Sequence, residues 1–147
     1  MIEIDAKPVA ELSAQLGYPV SKIELKNRLA RISATSGNGI FVALNNEQTV
    51  IGWMHVHTID RLEIGRYAEI GGIVVDETMR GRGVGSALML CAETWAQQQG
   101  FDRVKLSSGA HRIEAHAFYE HIGYSNIRTS LRFEKILKKV INMANVS

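Results

Sequence analysis

The residues with the clearest capacity for binding chemistry are Arg80-Gly81-Arg82-Gly83-Val84-Gly85. Glycines let a backbone approach a ligand closely, and where such a turn opens a helix the free amides of the first turn point outward at an anion. A phosphate fits that geometry. The segment is not a Walker loop, because no Gly-Lys-Ser/Thr follows, and not the dinucleotide fingerprint, because counting from Gly81 the third glycine position is Ser86. Without its surroundings, a tight strand-to-helix connection accounts for it equally well.

Other reactive side chains give weaker signals. His55 and His57 share one strand face and could bind a metal, but no third ligand has a compelling spacing. Ordinary sheet-surface or cleft histidines are favoured, and no metal site is expected. His116 and His121 read as helix-face residues. Cys91 is the only cysteine, which excludes an intrachain disulfide and a zinc site built on several thiolates. With Leu88 and Trp95 three and four residues away, it reads as an inert residue on a buried helix face. The pair Gly71-Gly72 interrupts a strand, marking either a bulge with close backbone approach or room for a large neighbour.

The elements that must position these groups follow from periodicity. Residues 1–4 predict a short strand, and Val9, Leu12 and Leu16 recur at helical spacing until Gly17. Ser21 predicts a helix cap, with Glu24 completing a possible capping box ahead of the stripe Leu25, Leu29 and Ile32. Residues 40–44 and 49–58 are rich in β-branched and aromatic residues, and 45–48 between them predicts an antiparallel hairpin. Residues 67–76, carrying Ile70, Ile73, Val74 and Val75, predict a strand buried in the sheet. Val84, Leu88, Cys91, Ala92 and Trp95 keep helical spacing up to Gly100. Residues 104–106 predict a strand, and Ala115, Phe118 and Ile122 a helix closed by Gly123. Alternation at Leu131, Arg132, Phe133 and Glu134 predicts a last strand. The sum is a mixed α/β fold in a single domain over residues 1–147.

Composition bounds the function. The 147 residues are 46% apolar and 22% charged, the balance of a globular chain rather than a disordered one. A net charge of +2, with no basic run beyond Lys138-Lys139, is too weak for a nucleic-acid footprint. The amino terminus lacks the features of a signal peptide, and no apolar run is long enough to cross a bilayer. A cytoplasmic location, with no nucleic-acid or membrane partner, is expected.

Ile73-Val74-Val75-Asp76, then Arg80-x-x-Gly83-x-Gly85 with its helix, then Ala115-x-x-Phe118-Tyr119-Glu120-x-x-Gly123-Tyr124, together resemble the GNAT superfamily of N-acetyltransferases. The likeness runs through most of the chain in element order and is most specific from Tyr67 to Tyr124. It implies a central mixed, mostly antiparallel sheet flanked by helices, with a splayed strand pair forming an acyl-CoA cleft. It implies acetyl-CoA as donor, coenzyme A as product, and direct transfer to the primary amine of a small molecule or peptide. Backbone groups of Ile73, Val74 and Val75 would pair with the pantetheine arm. Arg80, Gly81, Arg82, Gly83, Val84, Gly85 and Ser86 would hold the pyrophosphate, with Arg82 either beside the phosphates or solvated. A bulge at Gly71-Gly72 would serve the opening of the strand.

The same resemblance implies the chemistry. Glu69 falls where some members carry a general base acting through water, against the reading of an exposed strand glutamate that only tunes cleft charge. Tyr119 falls at the thiolate-protonating tyrosine, against a buried structural one. Arg112 stands where many members have asparagine, so the usual hydrogen bond to the pantetheine arm is replaced by a group suited to a phosphate or an acidic acceptor. His111 would line the acceptor cleft. The acceptor itself is not readable, a homodimer is consistent with family habit, and a non-catalytic acyl-CoA sensor is the alternative from a different class.

Overall fold

In the computed structural model, residues 5–108 and 112–138 are described, and the chain divides into two compact units, Met1–Gly109 and Ala110–Ser147. The first unit holds helices α1 (Ala6–Gln15) and α2 (Lys22–Ser33), strands β1 (Asn38–Leu44), β2 (Val50–Arg61) and β3 (Gly65–Val75), helix α3 (Val84–Gln98) and the short strand β4 (Val104–Lys105). The second holds α4 (Ile113–His121). The predicted first strand at residues 1–4, and His111, lie outside the described residues.

The sheet runs β1-β2-β3-β4 in space, with antiparallel pairs β1/β2 and β2/β3 and a parallel pair β3/β4. It is therefore mixed and mostly antiparallel, as the sequence predicts. The hairpin between β1 and β2 is closed by Asn45, whose Oδ1 accepts from the N–H groups of Glu47 and Thr49, both at 2.9 Å. A short side chain that bonds its own backbone in this way fixes a turn locally.

Helices cover both faces. On one, Gly52 of β2 has no Cβ, and one placed there would lie 3.2 Å from Leu88 Cδ1 and 3.4 Å from Val84 Cγ1, so glycine is what lets the start of α3 sit close on the sheet. Strand alternation turns Trp53 and its cross-strand partner Val74 to the opposite face. There Val9 and Leu12 of α1 pack with Val50 and Val74, flanked by Leu16, Leu25, Val42 and Trp53.

Local signals hold with three corrections. Ser21 caps α2 by accepting from Glu24 N–H at 3.1 Å, but the Glu24 carboxylate lies 3.6 Å from Arg28 rather than completing a reciprocal box. Cys91 is exposed, because the buried face of α3 is Leu88, Met89, Ala92 and Ala96. At roughly 100° per residue that face is centred well away from Cys91, so a three-residue spacing from Leu88 was insufficient to bury it. Leu131, Arg132, Phe133 and Glu134 form no strand: residues 124–138 carry neither helix nor strand. Alternation supplies the side-chain pattern, but a strand also needs a neighbour to complete its backbone ladder.

Candidate active site

The site begins at a disruption in β3. Pairing with β2 runs in register from Arg61/Gly65 to Val56/Ile70, then resumes at His55/Gly72, so Gly71 is the extra residue of a bulge. Gly72 answers a different need. A Cβ on it would lie 2.7 Å from Trp53 Cη2, closer than real contacts allow. Both readings of the glycine pair hold, one at each residue.

The bulge reverses which residues face which edge. Upstream, Ala68 N–H points toward β4 and meets Arg103 O at 3.3 Å. Downstream, Asp76 N–H points toward β2 and meets Ile51 O at 2.8 Å. Successive strand residues turn their N–H and C=O groups to opposite edges, so Val74 also faces β2, while Ile73 and Val75 face the other edge. On that edge β4 pairs only with Ala68 and Glu69. Beyond them Ile73 and Val75 have no ladder partner among the described residues. The strand pair at which the sequence predicts an opening is β3 and β4, whose ladder is two residue pairs long.

The chain next forms a tight connection. Asp76 Oδ1 accepts from Thr78 N–H at 2.9 Å and from its hydroxyl at 2.8 Å, starting a single 3-10 turn over Glu77–Met79. Those bonds, followed by the Arg80 charge, hold the Asp76 carboxyl below its ordinary range. Gln15 of α1 braces the turn by accepting from Glu77 N–H at 3.1 Å. Arg80 is extended, and Gly81 and Gly83 have φ of 78° and 82°, the left-handed region that favours glycine. Beyond the chain neighbours, no protein atom lies within 4 Å of a Cβ built on either. Arg80, Gly81, Arg82 and Gly83 are exposed.

Gly83 is the N-cap of α3 and offers no side-chain cap. The first helical bond runs from Ala87 N–H to Gly83 O at 3.0 Å, so Val84, Gly85 and Ser86 precede the regular ladder and their N–H groups have no intrahelical acceptor. Together with the helix dipole they present partial positive charge at this end.

Glu69 sits just upstream of the bulge, where cross-strand register puts it opposite His57. Its Oε2 lies 3.7 Å from His57 Nε2, with the side chains 31% and 27% exposed, a setting neither dry nor freely solvated. The His57 ring stacks on His55 with centroids 5.2 Å apart, and His55 Nε2 lies 2.9 Å from Asn38 Oδ1. This row of Asn38, His55, His57 and Glu69 is what sequence reasoning missed. The spacing of the two histidines was visible, but their alignment with Asn38 and Glu69 depends on strand register. Among the described residues no group of three or more His, Cys, Asp or Glu could hold a metal ion.

In the second unit, Arg112 occupies the N-cap position of α4 and is exposed, and Tyr119 lies further along the helix, partly buried. The Tyr119 ring packs against Phe118 and Tyr124, with centroids at 5.3 and 6.2 Å. Burial raises the phenol above its ordinary value, outweighing the opposing pull of the Arg112 charge. Burial therefore favours the protonated phenol over the phenolate. His121 is exposed on the same helix.

The family model for the acetyltransferase (GNAT) family matches residues 8–124. The aminoalkylphosphonate N-acetyltransferase of Salmonella typhimurium is 36% identical over 97 residues, which span 65% of this chain and 61% of that relative. An aminoglycoside antibiotic 6'-N-acetyltransferase from Acinetobacter haemolyticus superposes with a TM-score of 0.80 at 19% identity, covering 94% of this chain and 97% of that one. An aminoglycoside N-acetyltransferase in complex with CoA superposes at 0.79 with 16% identity, covering 93% and 97%. These two structures share the fold.

Proposed function

The chain belongs to the acetyltransferase (GNAT) family, and from that membership we propose that it is an N-acetyltransferase, moving the acetyl group of acetyl-CoA directly to a primary amine. The observation that carries this reading is the open edge of β3. Ile73 and Val75 turn their backbone groups away from β2 where β4 has ended, and the same strand leads into the uncapped start of α3. A pantetheine arm contains amides that need an extended row of partners, and a pyrophosphate needs outward amides with a positive helix end behind them. In this reading Ile73 and Val75 supply the row, while Val74, which the sequence placed with them, turns its backbone groups to β2. The turn from Arg80 through Gly81, Arg82, Gly83, Val84 and Gly85 to Ser86 supplies the phosphate site, and Arg112 adds a cation for a phosphate.

Glu69 is the general base that frees the amine lone pair, directly or through water, and Tyr119 gives its proton to the departing thiolate. The acceptors of the relatives set the classes to try first, an aminoalkylphosphonate and an aminoglycoside.

The test pairs calorimetry with a thiol-release assay. Acetyl-CoA should bind, and free thiol should appear in proportion to one class of amine. Binding without amine-dependent thiol release would make the protein an acyl-CoA sensor, and absence of binding would remove the donor assignment.

A further inference from the structure

The polar row beside the bulge contains a base that Glu69 does not account for. Asn38 Nδ2 donates to Thr35 O at 3.2 Å, which leaves its Oδ1 as the acceptor facing His55. His55 Nε2, at 2.9 Å, must then carry the hydrogen, and Nδ1 retains the lone pair. That lone pair lies on the side of the bulge. A Cβ on Gly71 would stand 3.2 Å from His55 Nδ1 and 3.4 Å from His57 Nε2, so any side chain there would cover both nitrogens. With glycine they are uncovered at an exposed residue of β3, next to the edge that β4 leaves open.

Resting on the acetyl-transfer reading, we propose that His55 is a further catalytic residue: its Nδ1 takes the first proton of the acceptor ammonium at the notch over Gly71 and passes it by way of water to Glu69, since the stacked His55 and His57 rings share no hydrogen bond. The amine then forms its N–C bond to the acetyl carbonyl as the C–S bond breaks. Its second proton is lost in that step and one proton ends on the leaving sulfur, while the first reaches solvent through Glu69. Atoms and charge balance as ammonium plus thioester giving amide, thiol and one released proton. Asn38 is a positioning residue, acting only through the ring it orients.

Charge around His55 suits the role. Burial, and then the neighbouring His57, hold it below 6.5, so the ring is neutral at and above neutral pH. The titratable groups facing it are His57 from β2 and Glu69 from β3, with uncharged Asn38 from β1. The adjoining cavity of about 250 Å³ is lined by Ile32, Ser33, Thr35, Asn38 and Ile40, none of them charged.

Two measurements on the whole chain decide the matter. Histidine ¹⁵N NMR without substrate should find His55 in the Nε2–H form, neutral down to below pH 6.5, and Asn38→Leu should mix the tautomers. A Nδ1–H ring in the unsubstituted protein would overturn the assignment. With an amine that the thiol-release panel turns over, His55→Gln should lower kcat by about 100-fold and abolish the acidic limb of the pH profile that reports His55, with little change in the KM for acetyl-CoA. Asn38→Asp should instead move that limb upward by about one pH unit, because a carboxylate favours the imidazolium. Turnover with the limb retained in His55→Gln overturns the role of His55 alone. Absence of turnover with every amine overturns the acetyl-transfer reading, and this role with it.

Discussion

Replacing Gly83 with alanine separates strain from ligand binding, because only one of the two is internal to the protein. At φ of 82° an L-residue costs roughly 1–2 kcal/mol. Loss of glycine's freedom in the unfolded chain returns about 0.4–1 kcal/mol. Beyond its chain neighbours no protein atom lies within 4 Å of the new Cβ, so no clash adds to the sum. The net loss is therefore about 1 kcal/mol, a fall in Tm of roughly 2–4 °C for a chain of this size. The cost to binding is larger if the first-turn amides of α3 hold a pyrophosphate. Displacing one hydrogen bond to a charged group costs about 1.5–3 kcal/mol, a weakening of Kd by roughly ten- to a hundredfold. Gly65→Ala is the matched control, since Gly65 has φ of 87° and likewise nothing within 4 Å of a Cβ. Thermal melts should move by similar amounts in the two variants, whereas calorimetry with acetyl-CoA should find the loss of affinity in Gly83→Ala alone. Equal affinities in wild type and both variants would refute the pyrophosphate assignment, and a collapse of Tm in Gly83→Ala would refute the strain estimate.

Gly72→Ala should destabilise the fold by about 1–3 kcal/mol through overpacking, because its Cβ would meet Trp53 at 2.7 Å; an unchanged urea midpoint would show that the indole moves freely. Tyr119→Phe should reduce turnover more than acetyl-CoA affinity, and in the wild type any alkaline limb due to Tyr119 should lie above pH 10 because burial raises its pKa. Glu69→Gln should lose most activity near neutral pH and recover part of it at high pH, where free amine is abundant; a small, uniform loss across pH would reduce Glu69 to tuning the charge of the cleft. The Asp76 pKa is depressed in the folded state, so its contribution to stability is present above 3.8 and lost as pH falls through the lower folded value. Acid titration of Asp76→Ala should lack that component, and an identical acid profile would show that the bonds to Thr78 add nothing.

Much of the frame was legible because it is written in short-range patterns. The spacing of Val84, Leu88 and Ala92 gave α3, Ser21 marked the start of α2, and the Asn45 turn closed the hairpin, each through contacts within a few residues. The glycine turn was readable for the same reason, since positive φ at Gly81 and Gly83 is a local requirement met by residue type. Alternation misled at residues 131–134, where side-chain pattern says nothing of a pairing partner. Spacing misled at Cys91, where a stripe fixes a face only to within the width of the helix.

The sequence by itself determined the order of elements, the turn that starts α3 and the family to which the chain belongs, because each is carried by residues close together along the chain. Only the tertiary structure decided which edge Ile73 and Val75 face, since the single extra residue at Gly71 reverses the strand and its effect appears only against β2 and β4. The structure likewise decided that Asn38, His55, His57 and Glu69 form one row. Groups on three strands come together through register, and register is fixed by the packing of whole faces rather than by any residue's own neighbours.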